Sequence, residues 1–220
     1  MIRNVIFDLD GTLADTGPGI LESVSYTIRT LGLRALCDAE CRRFIGPPLK
    51  DSFQSYCGCT EQEAQQAVAV FRQYYQAGAV FHAEPYPGIP ELCARLKAAD
   101  FSLGVATNKP QRFADALLRN FALDCYFDAV CGADERGTMK KPDLILLAAE
   151  QMQAALPETV MIGDTENDAA GAANAGVPFL AVTYGYGFRL PCDVQSCVPV
   201  GIAQSPAEIA EILLHRTPKI

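Results

Sequence analysis

Two aspartates two residues apart, Asp8 and Asp10, follow the apolar run Val5-Ile6-Phe7 and lead directly into Gly11-Thr12. On an extended segment, residues i and i+2 project from the same face. Two carboxylates at the tip of a buried strand repel each other, so a fold keeps them for a compensating reason. A divalent cation supplies one, together with a reaction needing one carboxylate as nucleophile and the other as acid and base. Taken alone, the pentapeptide reads as a helix cap or turn, since Asp and Gly are ordinary at strand ends. Later segments decide against that.

The elements that would position this pair alternate along the chain. Short apolar runs predict strands at 3–7, 101–106, 127–131, 159–162 and 179–182. Helical patterns fall at 89–99, 110–120 and 143–155, and Pro110 and Pro142 stand where a first helical turn accepts proline. Alternating strands and helices of these lengths predict an α/β fold, with a mostly parallel sheet covered on both faces. Residues 184–205, rich in Gly, Pro and Cys, predict a long loop with one short strand. Ser205-Pro206-Ala207-Glu208 then opens a terminal helix in the manner of a capping box.

The stretch 16–83 breaks the alternation. Ile20, Leu21, Val24, Ile28 and Leu31 make an amphipathic stripe that ends at Gly32. Thr60-Glu61-Gln62-Glu63 is a capping box opening a second helix, with Ala64, Ala67, Val68, Phe71, Tyr74 and Tyr75 on one face. Between them Gly46-Pro47-Pro48 breaks a helix–loop–helix. We read 16–83 as an all-helical insertion in a core made of 1–15 and 84–220, joined by short crossings and laid out as a lid over a site.

In an open parallel sheet, ligands bind beyond the carboxyl ends of the strands. Polar residues should therefore cluster after the other strands, and they do. Thr107-Asn108-Lys109 follow one predicted strand, Gly163-Asp164-Thr165-Glu166-Asn167-Asp168 follow another, and Lys140-Lys141-Pro142 precede a helix. Each has an ordinary structural reading as a cap, turn or solvated charge. Together they place acids, a hydroxyl and a lysine on one rim of one sheet.

This combination resembles the haloacid dehalogenase (HAD) superfamily. Asp8-x-Asp10-Gly11-Thr12 looks like its first motif, Thr107 its second, Lys141 before Pro142 its third, and Gly163-Asp164-x-x-x-Asp168 its fourth. The order is right over nearly the whole chain, and the insertion falls where the superfamily places a cap. Phe44-Ile45-Gly46-Pro47-Pro48-Leu49 and Tyr86-Pro87-Gly88-Ile89 are similar to the phosphoglycolate phosphatase and 5′-nucleotidase subgroup. The resemblance implies a Rossmann-like, doubly wound core and a phosphatase working through an aspartyl-phosphate. It implies Asp8 as nucleophile and Asp10 as acid and base. Asp8, Asp164 and the Asp10 carbonyl would hold Mg²⁺, Thr107, Asn108 and Lys141 the phosphate, and Asp168 would orient Lys141. Arg43, Gly46 and Lys50, in or beside the Gly-Pro-Pro break, are the expected cap contacts to substrate. Asp10 argues against dehalogenase and phosphonate-cleaving branches, and against a scaffold without catalysis. A phosphosugar mutase of the β-phosphoglucomutase type and a pyrophosphatase stay open as alternatives.

The bulk properties bound the partners. A chain of 220 residues, half of them apolar, buries a substantial core. The net charge of −8 argues against nucleic acid or an anionic membrane. The expected partner is a small phosphorylated metabolite, attracted locally by a metal ion or a placed lysine, and acted on by a monomer or homodimer. No apolar run approaches the roughly 18 residues of a membrane span, and with no signal-peptide pattern the expected location is cytoplasmic. Nine scattered cysteines fit no zinc spacing, and reduced thiols mostly filling apolar space are expected. His82 and His215 read as incidental. Tyr184-Gly185-Tyr186-Gly187 could rim the site, although glycine-rich loops there are common.

Overall fold

The computed structural model describes residues 1–134, 138–196 and 199–215. It divides into two compact units, Met1–Asp15 with Pro85–Ile220 and Thr16–Glu84. The second boundary falls one residue later than the sequence pattern places it.

The first unit is built on a six-stranded parallel sheet of β1 (Asn4–Phe7), β4 (Ser102–Pro110), β5 (Ala129–Ala133), β6 (Thr159–Gly163), β7 (Phe179–Val182) and β8 (Gly201–Ala203). Its order is β5-β4-β1-β6-β7-β8. The two-residue strands β2 (Ala14–Asp15) and β3 (Glu84–Pro85) pair separately as a short ribbon. β1, β6 and β7 are buried at every residue, which explains why they read as unbroken apolar runs. Helices α5 (Ile89–Ala98), α6 (Gln111–Asn120), α7 (Lys141–Gln151), α8 (Glu166–Ala175) and α9 (Pro206–His215) complete the unit. α7 and α8 share one apolar core with Ile6, Ala106, Cys131, Met161, Phe179 and Ala181 of the sheet. α5 packs on β4 and on α9.

Register fixes where the site forms. Phe7 lies level with Val105 of β4 and with Ile162 of β6. Asp8, Thr107 and Asp164 therefore emerge together at the carboxyl edge of three adjacent strands. The β4–β5 ladder slips between Thr107 and Pro110, and this irregularity carries Asn108 and Lys109.

Two expected elements are displaced by two residues: the strand read at 127–131 runs over Ala129–Ala133, and one helix starts early. The helix read at 143–155 runs instead over Lys141–Gln151. The Lys140 N–H donates to the Asp143 carboxylate at 2.8 Å, which closes the first turn two residues earlier and puts Lys141 inside it. The far end stops before Gln153, whose φ of +55° no helix accommodates.

The second unit is helical: α1 (Gly17–Leu31), α2 (Asp38–Arg42), α3 (Leu49–Cys57) and α4 (Glu61–Gln76). Ile20, Val24 and Ile28 of α1 are buried, as are Ala64, Ala67, Phe71 and Tyr75 of α4. Thr60 and Glu63 form the expected capping box. The Gly46-Pro47-Pro48 break separates α2 from α3, and Phe44 and Phe53 meet edge-on beneath it.

The eight described cysteines are free thiols, and Cys197 lies outside the described residues. Cys59, Cys93 and Cys131 are buried, whereas Cys37, Cys125 and Cys192 are exposed. The expectation that most fill apolar space is thus corrected to three of the eight. Burial pushes the Cys93 thiol up to about 12 and Cys131 up to about 11, so neither is a nucleophile. No helix among the described residues is long and apolar enough to cross a membrane.

Candidate active site

β1 ends at Phe7, and the chain then turns tightly. The Asp8 N–H donates to the Ile162 carbonyl of β6 at 2.9 Å. Leu9 C=O accepts from the N–H groups of Leu13 and Ala14, each at 3.0 Å, and Gly11 takes φ +87°. The turn presents the Asp8 and Asp10 side chains while burying Leu9 and Leu13 completely.

Each of these carboxylates has its own ammonium partner. Lys141 Nζ lies 2.7 Å from Asp8 Oδ1 and 2.7 Å from Asp168 Oδ1, and donates to the Ala106 carbonyl at 3.1 Å. Lys109 Nζ lies 2.8 Å from Asp10 Oδ1. Both lysines are almost fully buried, which is rare for this residue unless it is paired. Asp168 also caps α8, its Oδ2 accepting from the Thr165 N–H at 3.0 Å and the Thr165 hydroxyl at 2.6 Å. Both its oxygens are thereby committed, and the pair it makes with Lys141 fixes where the ammonium points.

Asp164 is fully buried at the end of β6. Its Oδ2 accepts from the Tyr186 N–H at 2.7 Å and the Gly187 N–H at 3.1 Å, and the Thr12 hydroxyl donates to Oδ1 at 3.4 Å. Two glycines make room for it. A Cβ on Gly11 or on Gly185 would stand 2.4 Å from Asp164 Oδ2, so only a residue without one lets these backbones pass.

Oxygens of Asp8, Asp164 and Asp168 all lie within 4.8 Å of one another. That closeness has an electrostatic cost. Burial is the main cause that pushes Asp8 up to about 8; Lys141 opposes it, and the charges of Asp168, Asp10 and Asp164 add to it. Burial and then Asp168 push Asp164 up to about 7, against the two N–H groups that favour its anion. For Lys141 burial disfavours the ammonium, but Asp168 and Asp8 outweigh it and hold the group above its ordinary range. The donors are all oxygen and their charge is under-compensated, so the cluster fits a hard divalent cation such as Mg²⁺.

Of the residues singled out in the sequence, Asp8, Asp10, Lys141, Asp164 and Asp168 converge through these contacts. Thr107 is buried beside Ala106, its hydroxyl accepting from the Lys109 N–H at 3.2 Å, and Asn108 is half-buried in the same irregular turn. In the helical unit, Lys50 pairs with Glu61 at 2.5 Å and Arg43 lies 5.8 Å from the centre of the Tyr56 ring. Gly46 there takes φ +101°.

Two features escaped the sequence reading. Lys109 is named with Thr107 in the rim cluster but carries no role there, and the slip of the β4–β5 ladder takes it out of simple strand parity with Thr107. The 184–187 loop, read from the sequence only as able to rim the site, supplies the walls of Asp164. Tyr184 OH donates to the Thr12 carbonyl at 2.9 Å, and Tyr186 OH donates to Asp15. Its place after β7, next to β6 in the sheet, was the available signal.

Residues 5–182 match the haloacid dehalogenase-like hydrolase family. The chain belongs to that family. It is 37% identical over 185 residues to a 5′-nucleotidase of Pseudomonas aeruginosa, covering 84% of each chain. A phosphoglycolate phosphatase of Vibrio vulnificus is 30% identical over 223 residues, covering 97% of this chain and 96% of that one. A tyrosine-protein kinase PtkA of Mycobacterium tuberculosis is 32% identical over 210 residues, covering 95% of this chain and 72% of that one. Among solved structures, a predicted phosphatase from Clostridium acetobutylicum superposes with a TM-score of 0.91 at 35% identity, covering 98% of this chain and 99% of that one. The protein is a phosphatase of the HAD-like hydrolases, with their parallel α/β core.

Proposed function

We propose that this phosphatase hydrolyses a small soluble phosphomonoester, phosphoglycolate-like or a nucleoside monophosphate, with Mg²⁺ and through an aspartyl-phosphate on Asp8. The observation that carries the reading is the buried Asp8–Lys141–Asp168 chain packed against Asp164. Such a cluster is costly for a fold to keep without a reaction to perform.

The Asp8 and Asp164 carboxylates and the Asp10 carbonyl would hold Mg²⁺. When bound, the ion offsets the charge of the acids and of the phosphate. Asp8 attacks phosphorus as the bond to the ester oxygen breaks. Asp10 gives its proton to that oxygen, and the alcohol leaves. Asp10, now a carboxylate, takes a proton from the water that attacks the phosphorus, releasing phosphate and restoring Asp8. Lys141, Thr107 and Asn108 hold the non-bridging oxygens, and Asp168 keeps Lys141 aimed. Specificity falls to the helical unit, with Arg43, Gly46 and Lys50 as substrate contacts; the Lys50–Glu61 pair is exposed and weak enough for a substrate anion to displace.

The test is phosphate release from a panel of phosphorylated metabolites with Mg²⁺. Asp8→Asn should lose all turnover. Asp10→Asn should keep its fold and lose about 10²–10⁴-fold. Full activity in Asp10→Asn removes the assigned roles. Isomerised sugar phosphate from a hexose 1-phosphate would mark a mutase, and pyrophosphate as the preferred substrate a pyrophosphatase.

A further inference from the structure

Lys109 has no place in the scheme above, yet it is built into the site. Its side chain is 4% exposed and its ammonium lies 2.8 Å from Asp10 Oδ1. It sits in the stretch where the β4–β5 register slips, and such irregularities re-aim a side chain beside active sites. The Lys109 N–H is tied to the Thr107 hydroxyl at 3.2 Å, so the turn that seats Thr107 also seats Lys109. The two buried ammonium groups are divided between the two aspartates of the first motif, Lys141 on Asp8 and Lys109 on Asp10.

We propose that Lys109 is a positioning residue for Asp10, fixing the acid/base carboxylate at the leaving group and stabilising the anion it becomes when the alcohol departs. The proposal rests on the acid/base reading of Asp10. As the P–O bond to the alcohol breaks, the proton of Asp10 passes to the ester oxygen and leaves a half-buried carboxylate. The ammonium on Oδ1 meets that charge until water returns a proton in the second half of the reaction. Without Lys109, Asp10 loses the charged donor that holds its Oδ1, and the anion it becomes loses that ammonium's stabilisation.

The consequence depends on the leaving group. An alkoxide needs a proton as it departs, whereas p-nitrophenolate does not. kcat/KM covers all steps up to loss of the alcohol, so it reports this difference. Lys109→Met is compared with wild type on glycerol 3-phosphate and on p-nitrophenyl phosphate, with Mg²⁺ present. The expected loss in kcat/KM on the alkyl ester is about tenfold, within the range that general acid catalysis supplies. The loss on the nitrophenyl ester should be several-fold smaller. Equal losses on both, or none on the alkyl ester, overturn the proposal. Asp10→Asn runs in parallel. If it shows the leaving-group selectivity and Lys109→Met does not, Lys109 is excluded while the reading of Asp10 stands. If Asp10→Asn is itself unselective, that reading fails. Should Lys109→Met not fold, Lys109→Leu makes the same comparison, again leaving Oδ1 without this ammonium.

Discussion

Replacing Lys141 by methionine removes one ammonium while keeping the length of the side chain. Two buried carboxylates, Asp8 and Asp168, each lose a partner at 2.7 Å, and the Ala106 carbonyl loses a donor at 3.1 Å. Taking one member from a buried ion pair costs about 3–5 kcal/mol, because the remaining charge has neither water nor a partner. The carboxylates can escape part of this by binding a proton, so the cost depends on pH. Lys141 itself titrates above its ordinary range in the folded protein and contributes nothing to the slope between pH 5 and 8. Over that interval the variant holds up to one more proton in its native state than the wild type. Its stability therefore falls faster with rising pH, by at most about 1.4 kcal/mol per unit. The destabilisation should be near its full value at pH 8 and clearly smaller at pH 5.

The assay is urea unfolding followed by circular dichroism, with chelator present. At a slope of about 2–3 kcal/mol/M, the loss at pH 8 moves the midpoint down by about 1–2 M. Added Mg²⁺ should recover part of it by supplying the missing charge. A shift below about 0.3 M at pH 8 would refute the reasoning. So would a larger loss at pH 5, since protons would then not be answering for the missing ammonium.

Four further outcomes follow. Metal-free stability should decline as pH rises from about 4 to 8, because Asp8 and Asp164, at about 8 and about 7 in the native state against 3.8 in the unfolded chain, keep protons the unfolded chain has lost. Mg²⁺ must displace those protons, so calorimetry in buffers of different ionisation enthalpy should count more released at pH 6 than at pH 9; none at pH 6 would contradict the proposed metal set. Gly185→Ala puts a methyl 2.3 Å from the Gly11 carbonyl and 2.4 Å from Asp164 Oδ2, and should cost about 1–3 kcal/mol by thermal melting and most of the turnover. Thr60→Ala removes the acceptor for the Glu63 N–H and should cost about 1 kcal/mol, read as faster amide exchange confined to the helical unit.

The sheet was legible because its strands are buried on both faces. β1, β6 and β7 are buried at every residue and are apolar apart from Asn4, Thr159 and Gly163 at their ends. The rim was legible because parallel strands end together, so polar clusters after separate strands belong to one place. What stayed hidden was partnership. Sequence puts Lys109 beside Thr107 but says nothing of which carboxylate it reaches, since the irregularity that turns it arises from a ladder with β5 more than 20 residues away. The 184–187 loop was hidden for a similar reason. Its role is to leave space, and an absent side chain has meaning only when the neighbour that needs the space is known. The start of α7 was misplaced because Lys140 and Lys141 look like solvated charges, whereas Asp143 reaches back to cap the turn that buries Lys141.

The same cluster explains why an acidic protein can act on an anion. Asp8, Asp10, Asp164 and Asp168 face Lys109 and Lys141, so the fully ionised site carries two negative charges more than positive ones. Burial pushes both Asp8 and Asp164 upward, toward the protonated form. A protonated Asp8 is no nucleophile. Lys141 opposes that protonation from 2.7 Å, and a further positive charge within reach of both acids, which a phosphate dianion cannot bring, would favour the anion. On the proposed roles, burial of Asp8 would couple the appearance of its nucleophilic anion to the arrival of a cation. Were Asp8 exposed it would stay ionised without one, and under the proposed scheme it would be open to phosphorylation whether or not the charge of the incoming phosphate was balanced.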